Sequence, residues 1–290
     1  ELLEAIRLWP STCAPGFEGH PALRVTCMAT AGSSLPARPG RKNATGYETG
    51  SNDTGLMAIF TETWSGKFRG HDVRQRRIEL LNRQYTFIGP CAPEALLDAP
   101  NAEARFAADG YMPYWAEFWP ASLLLMDAVA SWAPPGPGAP PVKVLELGCG
   151  LGAVSVVLGS LGYRVFASDY DGDALAFTME NARINGVTTI EPLLIDWREA
   201  YPGLRVDRIV AAEVLYECRN AEPVAQFVSR HLSPTGFALI CDRNRSTADD
   251  FPEVARRFGM QVEVSAVQRG DPDGGRPISG RLFRLELREL

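Results

Sequence analysis

A chain of 290 residues, 46% hydrophobic and 22% charged, is long enough to bury a sizeable core and ordinary in its polar–apolar balance. Its net charge of −6 argues against a nucleic-acid-binding surface, which calls for clustered Lys and Arg, and fits a small molecule or a basic protein partner. Six scattered cysteines without a CxxC pair, and only three histidines (His20, His71, His231), exclude a His-rich metal centre and suit reduced thiols in a cytoplasmic compartment.

The first 72 residues are weakly patterned. Leu, Ile, Val and Phe supply 12 of the first 70, below the ~20% of ordinary folded chains. Residues 31–55 are rich in Gly, Ser, Pro, Asn and Thr and have no helical or strand period. Segment 1–72 is therefore expected to be loop-rich or disordered. Glu1 and Glu4 stand where a secretory leader wants basic residues, so no leader is expected. Nothing approaches the ~18 apolar residues of a membrane span, and no membrane partner is expected.

Residues 73–133 read as a small β/α extension. Two alternating stretches, 77–80 and 84–88, predict short strands joined near Asn82. A short helix opens at Pro93, and a longer apolar helix covers 121–132, ended by the Pro/Gly run that follows. From 134 to 290 the pattern alternates. Strands are expected at 142–147, 164–168, 190–195, 208–212, 237–241 and 282–287, with helices at 153–159, 174–185, 223–231 and 251–258. That alternation predicts an α/β fold: a Rossmann-like, mostly parallel sheet with helices on both faces. Ligands of such sheets bind beyond the carboxyl ends of the strands.

The first of these strands runs into Gly148-Cys149-Gly150-Leu151-Gly152. Glycines there let the backbone turn tightly against a ligand, and the following helix offers free N–H groups. The same spacing also satisfies a dinucleotide fingerprint, so the loop marks a nucleotide-like ligand without naming it. Asp169 closes the second strand, placed to accept from two ribose hydroxyls. Asp196-Trp197 closes the third, an acceptor for an amino group beside a flat apolar ring. Glu146 is a lone charge in an apolar strand and needs a partner, for which a cationic ligand is a natural candidate.

With Glu146-Leu147-Gly148-Cys149-Gly150-Leu151-Gly152 the chain resembles the class I S-adenosylmethionine-dependent methyltransferases. More narrowly it resembles the family 16 lysine methyltransferases and their bacterial relatives. That likeness rests on Trp115-Ala116-Glu117-Phe118-Trp119-Pro120-Ala121, Asn181-Ala182-Arg183-Ile184-Asn185, Leu194-Ile195-Asp196-Trp197 and Glu213-Val214-Leu215-Tyr216-Glu217. The resemblance implies S-adenosylmethionine as cofactor, with Trp119, Glu146, Gly148, Gly150, Asp169, Asp196, Trp197 and Ala212 lining its pocket and no metal. It implies a protein lysine as methyl acceptor, steered and deprotonated by Glu213 and Tyr216. Glu213 stands where those enzymes usually carry Asp.

The alternatives are a small-molecule N-methyltransferase acting on a small amine, a nicotinamide-dependent oxidoreductase, and a cofactor-binding module without catalysis. The oxidoreductase lacks a Tyr-x-x-x-Lys pair or a well-placed His. A monomer is the expected state.

Overall fold

The structure, a computed structural model, describes residues 65–270 and 276–288. The expectation for residues 1–64 lies outside the described residues. Residues 65–72, expected to be without pattern, contain β1 (Ser65–Phe68) and the start of β2 (His71–Leu80). With β3 (Arg83–Pro90) they form an antiparallel three-stranded sheet. The earlier onset of structure has a local cause. Arg69 and Gly70 take positive φ and turn the chain so that Phe68 faces His71, and Phe68 and Val73 are buried.

The second sheet has seven strands: β4 (Lys143–Leu147), β5 (Arg164–Asp169), β6 (Ile190–Leu194), β7 (Val206–Ala212), β8 (Leu232–Asp242), β9 (Met260–Arg269) and β10 (Ile278–Leu287). Their order is β6-β5-β4-β7-β8-β10-β9. The first five pair in parallel, and β10 runs antiparallel between β8 and β9. This is the expected Rossmann-like α/β sheet. Val144, Leu145 and Leu147 of β4 are all buried because both faces of the strand are covered.

One face carries α2 (Pro120–Ala130) and α3 (Ala153–Ser160), which share a core with β4 and β5. The other carries α5 (Ala221–His231) and α6 (Phe251–Arg257). A third cluster joins Phe68, Val73 and Ile88 to Trp115, Leu151 and Phe177, the last on α4 (Gly172–Ile184).

Two asparagines at helical spacing fasten the small sheet to the large one. Asn181 accepts from Ile88 N at 2.7 Å and donates to Ile88 O at 3.0 Å and Leu151 O at 2.8 Å. Asn185 accepts from Thr86 N at 2.9 Å and donates to Thr86 O at 2.6 Å. Side-chain amides thus complete hydrogen bonds that strand β3 would otherwise leave open.

Besides β1, a helix and a strand were not expected from the sequence. Helix α1 (Ala102–Asp109) buries none of its residues, so it shows no apolar stripe to read. Strand β9 is an edge strand whose middle, Glu263 to Ala266, is exposed, and it pairs along ten residues with β10.

Candidate cofactor and acceptor site

The sheet reverses its winding between β4 and β7, and a cavity of about 470 Å³ opens beyond the strand ends there. Its floor is the glycine loop. Gly148, Gly150 and Gly152 have φ of 64°, 53° and 76°, the left-handed region open to glycine. At Gly150 a Cβ would stand 3.0 Å from Trp115 O, so the loop packs directly under the segment that roofs it. Asp169 buttresses the loop: one carboxylate oxygen accepts from Gly150 N at 2.9 Å and the other from Asp171 N at 3.0 Å. Burial outweighs these bonds and pushes the Asp169 carboxyl up to about 6. Asp171 in turn caps α4 by accepting from Asp173 N at 2.8 Å.

Seven of the eight residues expected to line a cofactor pocket border this cavity: Trp119, Gly148, Gly150, Asp169, Asp196, Trp197 and Ala212. Trp197 lies over Gly148, where a Cβ would be 3.5 Å from the indole. Glu146 is the exception. Its carboxylate is turned into the core and accepts from Ser155 N at 2.8 Å and from Ser155 Oγ. The partner its burial requires is therefore supplied by the first turn of α3. Desolvation pushes its carboxyl up to about 8.

Both residues expected to act on the acceptor also line the cavity. Tyr216 sits edge-on to Tyr114, ring centroids 5.2 Å apart, and Tyr114 sits edge-on to Trp119 at 5.8 Å. Burial raises the Tyr216 hydroxyl above its ordinary range, so it stays protonated. Glu213 differs from the expectation of a free steering carboxylate. It accepts from Arg245 Nε at 2.8 Å and from Ala121 N at 3.3 Å, and Arg243 Nε stands 3.5 Å away. It caps the start of α2 from outside the helix and holds the loop after β8, in a backbone of φ 58°. Of the carboxylates lining the cavity, the one that forms no hydrogen bond or ion pair among the described residues is Glu117, which is exposed.

A strap of contacts closes the other side, and the sequence reading did not find it. Asp109, at the end of α1, accepts from Tyr170 Oη at 2.7 Å, from Arg198 Nη2 at 3.1 Å and from Tyr111 N at 3.0 Å. Arg219 donates to Asp109 O at 3.0 Å and Gly110 O at 3.1 Å. Tyr111 reaches Asp171, with Arg105 stacked 3.6 Å above its ring. Arg198 also binds Asp196 through Nε and Nη2 (2.8 and 2.7 Å), so the Asp196 carboxylate is already oriented. The available signal was the sequence neighbourhood: Tyr170 and Arg198 each lie within two residues of an expected site residue.

In its sheet order and in its matches to known proteins the chain is similar to the core of the class I S-adenosylmethionine-dependent methyltransferases. The family model that matches, over residues 138–264, is that of the tellurite resistance protein TehB. The chain is 31% identical over 104 residues to a ribosomal protein L11 methyltransferase of Citrifermentans bemidjiense, covering 36% of this chain and 33% of that protein. An uncharacterized RNA methyltransferase of Protochlamydia amoebophila is 37% identical over 60 residues, 21% of this chain and 14% of that one. A ubiquinone biosynthesis O-methyltransferase of Rickettsia conorii is 28% identical over 111 residues, 36% of each. The chain thus spans about a third or less of the length of these relatives.

Among solved structures, a TehB-like methyltransferase from Corynebacterium glutamicum aligns at 20% identity and TM-score 0.43, over 68% of this chain and 100% of that one. The N-methyltransferase NodS of Bradyrhizobium japonicum, in complex with S-adenosyl-L-homocysteine, aligns at 19% and 0.45, over 69% and 93%. The names of the relatives span RNA, protein and small-molecule acceptors, so the expectation that an acidic chain excludes nucleic acid finds no support in them. Among the described residues no helix is long and apolar enough to cross a membrane.

Proposed function

We propose that the protein transfers a methyl group from S-adenosylmethionine to an amine nitrogen, with a protein lysine side chain as the acceptor. The observation that carries the reading is the acceptor wall. Tyr114, Trp119 and Tyr216 present aromatic surface, and Glu117 adds a carboxylate without a partner among the described residues. Ring faces and a carboxylate attract a cation, while the apolar enclosure favours the neutral amine that must attack.

In this reading Gly148, Gly150, Asp169, Asp196, Trp197, Ala212 and Trp119 hold the cofactor. When bound, it supplies a sulfonium methyl already activated for transfer. Asp169 would accept from ribose hydroxyls, Asp196 would take the adenine amino group, and Trp197 would cover the ring. A lysine ammonium, ordinarily titrating near 10.4, is drawn in by Glu117, loses its proton towards that carboxylate and the solvent at its edge, and is aligned by the Tyr216 hydroxyl. Glu213 acts as a positioning residue that fixes α2 and the Arg245 loop around the acceptor. Residues 73–133 serve as the extension that roofs a catalytic core of 134–290. Proximity and orientation then do most of the catalytic work.

The relative named for a ribosomal protein supports a protein acceptor. The other names caution that a shared core does not choose the acceptor. Incubation of the purified chain with methyl-labelled S-adenosylmethionine and lysine peptides should yield labelled methyl-lysine on hydrolysis. Label found instead in RNA or in small amines alone would reject the lysine acceptor.

A further inference from the structure

Arg245 lies in the acceptor half of the cavity and is more constrained than a surface arginine. Its N–H donates to Asp242 Oδ1 at 2.8 Å and its carbonyl accepts from Arg281 Nη2 at 2.6 Å. Its guanidinium is 5.9 Å from the Trp119 ring centroid, and its Nε is committed to Glu213 at 2.8 Å. Among the described residues Nη1 and Nη2 donate to nothing, and the side chain is about one-third exposed, towards the cavity it lines.

Among the charged groups paired around it, positive charge is in excess. Asp242 and Asp249 both pair with Arg281, at 3.5 and 2.8 Å. Glu213 alone faces two guanidiniums, Arg243 at 3.5 Å and Arg245 at 2.8 Å. One carboxylate balances one of them. An arginine held through Nε still offers its two Nη groups end-on, the geometry that takes a carboxylate with two parallel bonds.

We propose that Arg245 determines substrate specificity by clamping a carboxylate borne by the methyl acceptor, so that the substrate is an amine with a nearby acidic group. The inference rests on the amine-methylation reading above. Within a peptide the group would be an Asp or Glu side chain near the lysine; in a small amine it would be a free carboxylate.

The test uses the full chain and labelled S-adenosylmethionine. One arm is a set of lysine-centred peptides with a single Glu, or Gln in matched controls, at each flanking position. The other is lysine and ornithine, each against its amide. The expected result is a preference of at least tenfold in kcat/KM for the carboxylate member of at least one pair. Arg245→Gln should remove that preference through KM, leaving the neutral member and S-adenosylhomocysteine affinity within twofold. Arg245→Lys should keep part of it, since it keeps the charge and loses the fork. Arg243→Gln, which also faces Glu213 but is not among the residues lining the cavity, should leave it intact.

Equal rates within every pair would overturn the inference and leave amine methylation standing. Equal loss on both members in Arg245→Gln, or the same phenotype in Arg243→Gln, would show a merely structural role and overturn it too. A parallel fall in S-adenosylhomocysteine affinity would assign Arg245 to the cofactor's own carboxylate. Transfer to no amine at all, with S-adenosylhomocysteine still bound, would overturn both readings.

Discussion

Burial and hydrogen bonding pull the acidity of Asp169 in opposite directions, and burial wins, holding the carboxyl near 6. A protonated carboxyl offers ribose hydroxyls a poorer acceptor than a carboxylate. S-adenosylhomocysteine affinity should therefore be full above about pH 7 and fall as the pH drops through 6, and calorimetry at pH 5, 6 and 7.5 reads this directly. Asp169→Ala should weaken binding by about 1.5–3 kcal/mol, the range for hydrogen bonds to a charged group. Affinity indifferent to both changes would place the ribose elsewhere. Glu146 gives a stability counterpart. Its folded-state acidity near 8 lies above the ~4.5 of an exposed Glu, so the fold holds a proton that the unfolded chain has lost. Its contribution is full below about pH 4.5, is lost as the pH rises towards 8, and is constant above. Glu146→Gln, which keeps an oxygen for Ser155 N, should flatten the dependence of the denaturation midpoint on pH across that window. The residue scale also shows where sequence reading stops. The glycines were legible because left-handed backbone turns favour that residue type, and Asp169 because a carboxylate at the end of an apolar strand stands out. The engagement of Glu213 by Arg243 and Arg245, some thirty residues away, leaves no local pattern.

Among the elements, the strap from α1 to Tyr111 is held almost wholly by polar contacts over the strand ends. Helix α1 buries no residue of its own, so Asp109 carries much of the attachment through Tyr170 and Arg198. The Tyr170 hydroxyl bond is the main reason the Asp109 carboxyl is held below its ordinary value. These bonds border one side of the cavity, so Asp109→Ala should speed S-adenosylhomocysteine release about tenfold, with a smaller effect on the association rate. Stopped-flow tryptophan fluorescence can follow this, since Trp119 and Trp197 line the cavity. An unchanged release rate would mean that the strap does not gate the site. The same weak burial explains why α1 was missed, just as the exposed middle of β9 hid that strand. The parallel strands β4, β5 and β7 were legible because apolar residues fill both of their faces. The asparagine pair of α4 was legible as a motif, yet its task of fastening Thr86 and Ile88 needed the fold.

At the scale of the molecule, the described residues that line the cavity lie between Asp109 and Arg245. Among the described residues, the clusters that support it begin at Phe68. The small sheet contributes through β3 and the Asn181 and Asn185 bonds, and through Phe68, Val73 and Ile88 packed against Trp115 and Phe177. Removing that sheet would uncover Phe177 and Leu151 directly behind the glycine loop. Large-to-small losses of comparable buried contacts cost about 2–5 kcal/mol each, so truncation past Leu80 should cost the cofactor site its order. A chain beginning at residue 65 keeps all of these contacts. It should bind S-adenosylhomocysteine within about twofold of the full chain, whereas a chain beginning at residue 91 should fail to bind. Calorimetry on the two truncations, with circular dichroism to confirm folding of the first, decides the matter. If the chain from residue 65 folds but loses affinity, the first 64 residues contribute to the site; if the chain from residue 91 binds normally, the small sheet is not needed to support the glycine loop.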